Sequence, residues 1–279
     1  MNEHFFIYNN QYFLSDQAFL SVDNRGFRFG DGLFETMRLY HGVILNIDYH
    51  FERLFHGMGM LQFDVPQNFS KEFFINQINQ LLLKNSISEN ARIRIMVFRG
   101  NGNLYEIENN SPDFIIETFT LTGKIELNEK GISMDIFPGA KKACDSFSNL
   151  KSNNGLPSAM ARLFAKKNNL DDAIILNCYG RVCESSIANL FLVKDKNIYT
   201  PPLSEGCIAG TLRRWMLERF SSKEYKVEEK VISIEDLLNA DELFLTNSIY
   251  LIKWIEKFNG KIYNNNIGKE IFQKVIQNI

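Results

Sequence analysis

The 279-residue chain has only four cysteines, Cys144, Cys178, Cys183 and Cys207, and none stands in a Cys-x-x-Cys pair. Its four histidines do not cluster with them at metal-ligand spacing. No metal site and no disulfide framework is therefore expected, and reduced thiols in a cytoplasmic protein fit best. Charge of one sign is missing too. The 31 basic and 33 acidic residues leave a net charge of -2, which gives no electrostatic footprint for nucleic acid or an anionic membrane. No apolar run approaches the roughly 20 residues that a membrane helix needs, and the first residues show no basic stretch followed by an apolar one. Internal repeats and low-complexity tracts are absent as well.

What is abundant is phenylalanine, with 24 residues against two tryptophans. Aromatic side chains carry much apolar area at low rotamer cost, so this excess predicts large buried surfaces, a subunit interface among them. An apolar fraction of 45% and a charged fraction of 23% are those of a globular protein, and the length suits two cores.

The first part reads as short strands followed by helices. An aromatic strand pair spans Phe5 to Phe13, and hairpin strands run from Leu33 to Leu45, broken at Gly42. From Asp48, read as an N-cap, Phe51, Leu54, Phe55, Met58 and Leu61 recur at three- and four-residue steps, the pattern of an amphipathic helix. Ser70 opens a second helix through Leu83. Alternation at Ile93, Ile95 and Val97 predicts a half-buried strand, and another follows at Phe114 to Leu121. The polar stretch Thr122 to Glu129 is read as a linker, giving domains at 1–121 and 130–279. The second contains strands near Ile132 to Phe137, Ala173 to Leu176, Asn189 to Val193 and Glu242 to Thr246, with helices after Leu156, after Thr211 and at the C-terminus. The fold class expected is α+β, or mixed α/β, in two domains.

Several segments carry groups suited to chemistry. Lys151 sits between Leu150 and the small polar run Ser152-Asn153-Asn154-Gly155; a solvated turn lysine is the plain reading, and a nucleophilic one would need desolvation or nearby positive charge. Glu184, in Gly180-Arg181-Val182-Cys183-Glu184-Ser185-Ser186, either caps a turn or places a carboxylate beside a ring nitrogen. Arg53, two residues after core-facing Phe51, belongs to a solvated helix face unless a phosphate is present. In that case its fork of donors matches the oxygens, and His50 could steady it. Gly206-Cys207-Ile208-Ala209-Gly210-Thr211-Leu212 is a glycine-punctuated loop entering a helix, where free N–H groups converge on an anion. Glu242 to Ser248 is a buried strand ending in Thr246, Asn247 and Ser248. Arg25 to Thr36 holds three glycines without the strand and helix context of a dinucleotide loop, so a Rossmann reading is rejected.

Taken in order, these segments resemble the class IV, fold-type IV pyridoxal-phosphate family of branched-chain aminotransferases, D-amino acid aminotransferases and aminodeoxychorismate lyases. The resemblance runs from about Asp23 to Ser248. It implies Lys151 as the Schiff-base lysine and proton shuttle, Glu184 at the pyridine nitrogen and Arg53 on the cofactor phosphate. It also implies that Thr211 and Leu212 bind that phosphate through their backbone, with Asn247 and Ser248 completing the cup. Two α/β domains with the cofactor at their interface, and a homodimer, are implied likewise.

Within the family, the tyrosine that usually follows the lysine in branched-chain aminotransferases is absent from Ser152 to Leu156. Phe34 stands where D-amino acid aminotransferases carry a substrate-binding tyrosine. Arg99-Gly100-Asn101-Gly102 resembles a loop of the lyases, which implies Arg99 near a substrate carboxylate. The expected activity is therefore 4-amino-4-deoxychorismate lyase, releasing pyruvate and 4-aminobenzoate for folate synthesis. Transamination of an amino acid with 2-oxoglutarate is the alternative, and a non-catalytic protein on this fold a remote one. A small amino-acid-like substrate, with neither nucleic acid nor membrane as partner, completes the expectation.

Overall fold

A computed structural model describes residues 4–17, 20–103, 110–220 and 225–278. It divides into two compact units, the first comprising residues 1–123 with 151–154 and the second 124–150 with 155–279.

The first unit contains β1 (Phe5–Tyr8), β2 (Gln11–Leu14), α1 (Arg25–Phe29), β3 (Gly32–Tyr40), β4 (Val43–Ile44), α2 (Ile47–Met60), α3 (Lys71–Lys84), β5 (Ala91–Arg99) and β6 (Pro112–Thr120). Its six strands form an antiparallel sheet in the order β2-β1-β6-β5-β3-β4. The β1–β2 hairpin turns through Asn9 and Asn10 and the β3–β4 hairpin through His41 and Gly42, all at positive φ, the backbone that tight hairpin turns require. Leu33, Met37 and Leu39 of β3 and Ile93, Ile95 and Val97 of β5 alternate along their strands and are buried. Helix α2 packs on β3, and α3 on β6 and β1. Many of the phenylalanines are spent here: Phe69, Phe73, Phe74 and Phe114 form one aromatic cluster, with Phe51 stacked on Phe74.

Two details depart from expectation. The N-cap position of α2 is Asn46, in the left-handed conformation at φ 52 and with no side-chain capping bond, and not Asp48. The chain leaves β4 through that residue directly into the helix, and Asp48 falls in the first turn, where its charge suits the helix dipole and pairs with Lys71 at 2.6 Å. Ser70 does cap α3, accepting the Phe73 N–H. The second departure concerns Lys151, which was expected in the C-terminal domain. Residues 151–154 group with the first unit, because β4 pairs only with Leu39 and Tyr40 and leaves the edge of β3 open at its start. That edge is taken by the lysine segment: Phe34 N–H donates to the Lys151 carbonyl at 2.9 Å and Asn153 N–H to the Gly32 carbonyl at 3.0 Å. The break after Gly123 falls inside the stretch 122–129, whose later residues are tied to the second unit by Asn128, which meets the backbone and indole N–H of Trp254.

The second unit contains β7 (Ile132–Ile136), α4 (Leu156–Lys167), β8 (Asp172–Leu176), β9 (Val182–Ser185), β10 (Asn189–Lys194), β11 (Asn197–Thr200), α5 (Thr211–Arg219), β12 (Lys226–Glu229), α6 (Ile234–Asn239), β13 (Glu242–Asn247), β14 (Leu251–Phe258), β15 (Lys261–Ile262) and α7 (Ile267–Asn278). The strands run in the order β12-β11-β10-β13-β14-β7-β8-β9, with β15 on β14. Parallel pairs at β14–β7, β7–β8 and β11–β12 make the sheet mixed. Strand β8 shows why both faces are dry. Its Ile174 joins a core with Val182, Leu190, Leu245 and Ile255, while Ala173 and Ile175 pack with Ala161 and Ala165 of α4. Continuous burial of this kind explains the unbroken apolar runs in these strands. The class is mixed α/β, as expected from the sequence.

Candidate active site

In the first unit, the lysine segment's pairing with β3 brings Lys151 Nζ over the Phe34 ring, 4.3 Å from its centroid. The Arg94 guanidinium lies 4.7 Å from the same centroid. Thr36 pairs with Arg94, and Arg38 with Arg92, so Phe34, Arg38 and Arg94 project from one face of the sheet. Buried Arg38 and partly buried Arg94 each have an Nε with no hydrogen-bond partner among the described residues. Burial also lowers the Arg38 pKa. A buried guanidinium with an unused donor is costly, and an anion is what would satisfy it. The sequence reading missed both arginines. The signal available to it was the pairing of two alternating strands, each placing an arginine on the face of Phe34.

Glu35 points to the opposite face of β3. It is buried and accepts Arg53 Nε at Oε1, 2.7 Å away, and a terminal Arg53 nitrogen at Oε2, 2.6 Å away, while His50 Nδ1 lies 2.6 Å from that same Oε2. Burial raises its pKa, but the charges of Arg53 and His50 outweigh that and bring it down to about 2. For His50 burial is the leading influence and lowers its pKa, aided by the charges of Arg53 and Lys151 and opposed by Glu35. His50 therefore steadies Arg53 through a carboxylate that both share. Glu35 had no place in the sequence reading.

Arg99, implied by the resemblance to lie near a substrate carboxylate, is also tied into the first unit. Buried Arg99 donates to Asp31 at 2.6 Å, to Asn110 at 3.1 Å and to the Leu61 carbonyl, and it lies over Phe63. Asp31 is shared with Arg25. Each of the three guanidinium nitrogens thus makes a bond within the first unit, which uses three of the five N–H donors.

In the second unit Glu184 lies within β9, buried and paired across from Ile175, and caps no turn. One carboxylate oxygen meets Lys142 Nζ and the other accepts the Ile208 N–H at 2.8 Å. Ile208 belongs to the loop leading into α5, which Asn189 and Asn149 brace: the Asn189 amide donates to the Ile208 carbonyl, and the Asn149 amide to the carbonyls of Leu203 and Cys207. Two glycines make that loop possible. Gly206 has φ +83 and the Ala143 carbonyl oxygen 2.2 Å from where a Cβ would stand; at Gly210 the Asn189 Oδ1 would be 1.9 Å away. Gly210 is the N-cap of α5 and brings no capping side chain to its first turn. There the Thr211 hydroxyl meets the Ser248 hydroxyl at 3.0 Å. Leu212 follows, fully buried. Asn247 accepts the N–H groups of Ile249 and Tyr250, so its carbonyl oxygen shapes the turn that presents Ser248. The neighbouring Thr246 hydroxyl is buried without a partner among the described residues.

Among the described residues no group of three or more His, Cys, Asp or Glu side chains could hold a metal ion, and no helix is long and apolar enough to cross a membrane. The four cysteines are free thiols.

The first unit thus carries a strand-bound lysine, and the second a buried carboxylate held by a cation and a glycine-shaped helix start. The chain belongs to the amino-transferase class IV family, which it matches over residues 32–255, and pyridoxal phosphate is the cofactor that membership implies. A Methanocaldococcus jannaschii protein that carries the provisional name branched-chain-amino-acid aminotransferase is 30% identical, covering 96% of this chain and 93% of its own. The aminodeoxychorismate lyase of Bacillus subtilis is 28% identical, over 97% and 94% of the two chains. The fold is that of the branched-chain amino acid aminotransferase of Escherichia coli, with a TM-score of 0.88 at 22% identity over 99% of this chain and 94% of that one.

Proposed function

We propose that the chain is a pyridoxal-phosphate enzyme acting as 4-amino-4-deoxychorismate lyase. The observation that carries the lyase reading is the wall beside Lys151: the Phe34 ring, with no hydroxyl, flanked by Arg94 and sharing its face with Arg38. A flat apolar surface next to guanidinium groups suits a substrate made of an unsaturated ring carrying carboxylates.

The residues present fit the cofactor. The buried Glu184 carboxylate, which Lys142 meets, suits a protonated ring nitrogen. The first turn of α5 at Thr211 and Leu212, entered from Gly210 and carrying the Thr211–Ser248 hydroxyl pair, suits a phosphate. Arg53, its guanidinium fixed by Glu35, adds a bidentate donor for that anion, and Asn247 holds the turn that carries Ser248. Lys151 is the covalent attachment point. When bound, pyridoxal phosphate supplies an electron sink through its protonated ring. Lys151 Nζ would hold the cofactor and, when free, would serve as the base that takes and gives a proton at the substrate. Arg38 and Arg94 orient the substrate carboxylates.

Transamination is the second reading, favoured by the same two arginines, because 2-oxoglutarate also presents two carboxylates. One assay separates them. Purified enzyme is given aminodeoxychorismate in one reaction, and amino acids with 2-oxoglutarate in others. Pyruvate released without any acceptor is the expected result; glutamate formed in the second set, with no pyruvate in the first, overturns the lyase assignment.

A further inference from the structure

A partly buried cation beside Glu184 is not accounted for by these roles. Lys142 follows β7 and is fixed by its backbone, its N–H donating to the Leu176 carbonyl at 3.0 Å and its carbonyl accepting the Cys178 N–H at 2.9 Å. Its ammonium, 15% exposed, is aimed at Glu184, itself 4% exposed. The groups around the pair are the thiols of Cys183 and Cys207. Both are buried, and burial raises the pKa of each, Cys207 to about 12, so they stay neutral and leave the Lys142 charge to Glu184. Burial opposes the charge on Lys142, yet the carboxylate wins and raises its pKa above the usual value. Removing one partner of a buried ion pair leaves the other charge uncompensated.

We propose that Lys142 is a positioning residue for the cofactor's ring nitrogen: it holds the Glu184 carboxylate in place, and by sharing the carboxylate's charge it sets how much cofactor affinity depends on that nitrogen. The inference rests on the assignment of Glu184 to the ring nitrogen. With Lys142 present, the carboxylate is satisfied by two cations once cofactor is bound. Without it, the ring is the only cation left to a buried anion, and the contribution of the ring nitrogen grows.

The test compares the dissociation constants of the full chain for pyridoxal phosphate and for its 1-deaza analogue, in which CH replaces the ring nitrogen. Both ligands attach to the same lysine and carry the same phosphate, so their ratio isolates the nitrogen. Lys142→Met should raise the preference for pyridoxal phosphate at least fivefold over wild type, Lys142→Gln should do the same should the first variant fold poorly, and Lys142→Arg should return it to near the wild-type value. A lysine that merely fills space would weaken both ligands alike, and an unchanged ratio in both neutral variants overturns the proposal. Glu184→Gln distinguishes the two ideas. If it abolishes the wild-type preference while the Lys142 variants leave the ratio unmoved, only the role of Lys142 falls; if the preference survives it, the assignment of Glu184 fails and this inference with it.

Discussion

Replacing Glu35 by Gln keeps the side chain's shape and removes its charge, so it isolates what the buried Glu35–Arg53–His50 cluster contributes. The fall of the Glu35 pKa from 4.5 to about 2, at about 1.4 kcal/mol for each tenfold change in proton affinity, is worth roughly 3 kcal/mol to the ionised folded state. Removing one partner of a buried pair strands the other charge, which places the expected loss at the same roughly 3 to 5 kcal/mol. Because the folded pKa is depressed, this stabilisation is present above about pH 4.5 and is lost as pH falls toward 2. His50, whose pKa is also lowered, loses stability already as pH falls below its ordinary 6.5, so the two windows separate. Trp215 and Trp254 both lie in the second unit, and tryptophan fluorescence would miss the event. Hydrogen exchange of the β3 amides reports it. Glu35→Gln should lower their protection at pH 7 by the stated amount and flatten its decline between pH 4.5 and 2. A variant within about 1 kcal/mol of wild type, with an unchanged acid profile, would refute the reasoning.

Lys151→Ala should abolish turnover and the visible absorption of the purified protein; residual activity above a percent or so would show that the lysine is misassigned. Arg94→Met should raise KM for a carboxylate-bearing substrate by at least tenfold while leaving cofactor affinity near wild type, and steady-state kinetics with a parallel cofactor titration check both halves. Gly210→Ala forces a Cβ against Asn189 Oδ1 and should weaken pyridoxal phosphate binding at least tenfold, measured by equilibrium dialysis. Gly59→Ala is the contrasting case. That helical position has nothing within 4 Å of an added Cβ, so thermal unfolding should show a gain of about 0.5 to 1 kcal/mol.

The linear sequence carried local information well. The three- and four-residue spacing of Phe51, Leu54 and Met58 predicted α2, and Ser70 predicted the start of α3, because helix periodicity and capping act over a few residues. The order of the motifs around Lys151, Glu184 and Thr211 was enough to point to the family and its cofactor. Pairing between distant segments was not legible. Only the tertiary structure attached Lys151 to the open edge of β3, since strand partners are chosen by which backbone edges remain free. It gave Arg99 its acceptors, because Asp31, Asn110 and the Leu61 carbonyl come from separate parts of the chain. It also brought Glu35 to Arg53 and Lys142 to Glu184, pairs that are 18 and 42 residues apart. Composition and periodicity determined which segments would be helix, strand and core; charge compensation in a buried setting, which exists only once the chain has folded, decided which polar residues hold one another.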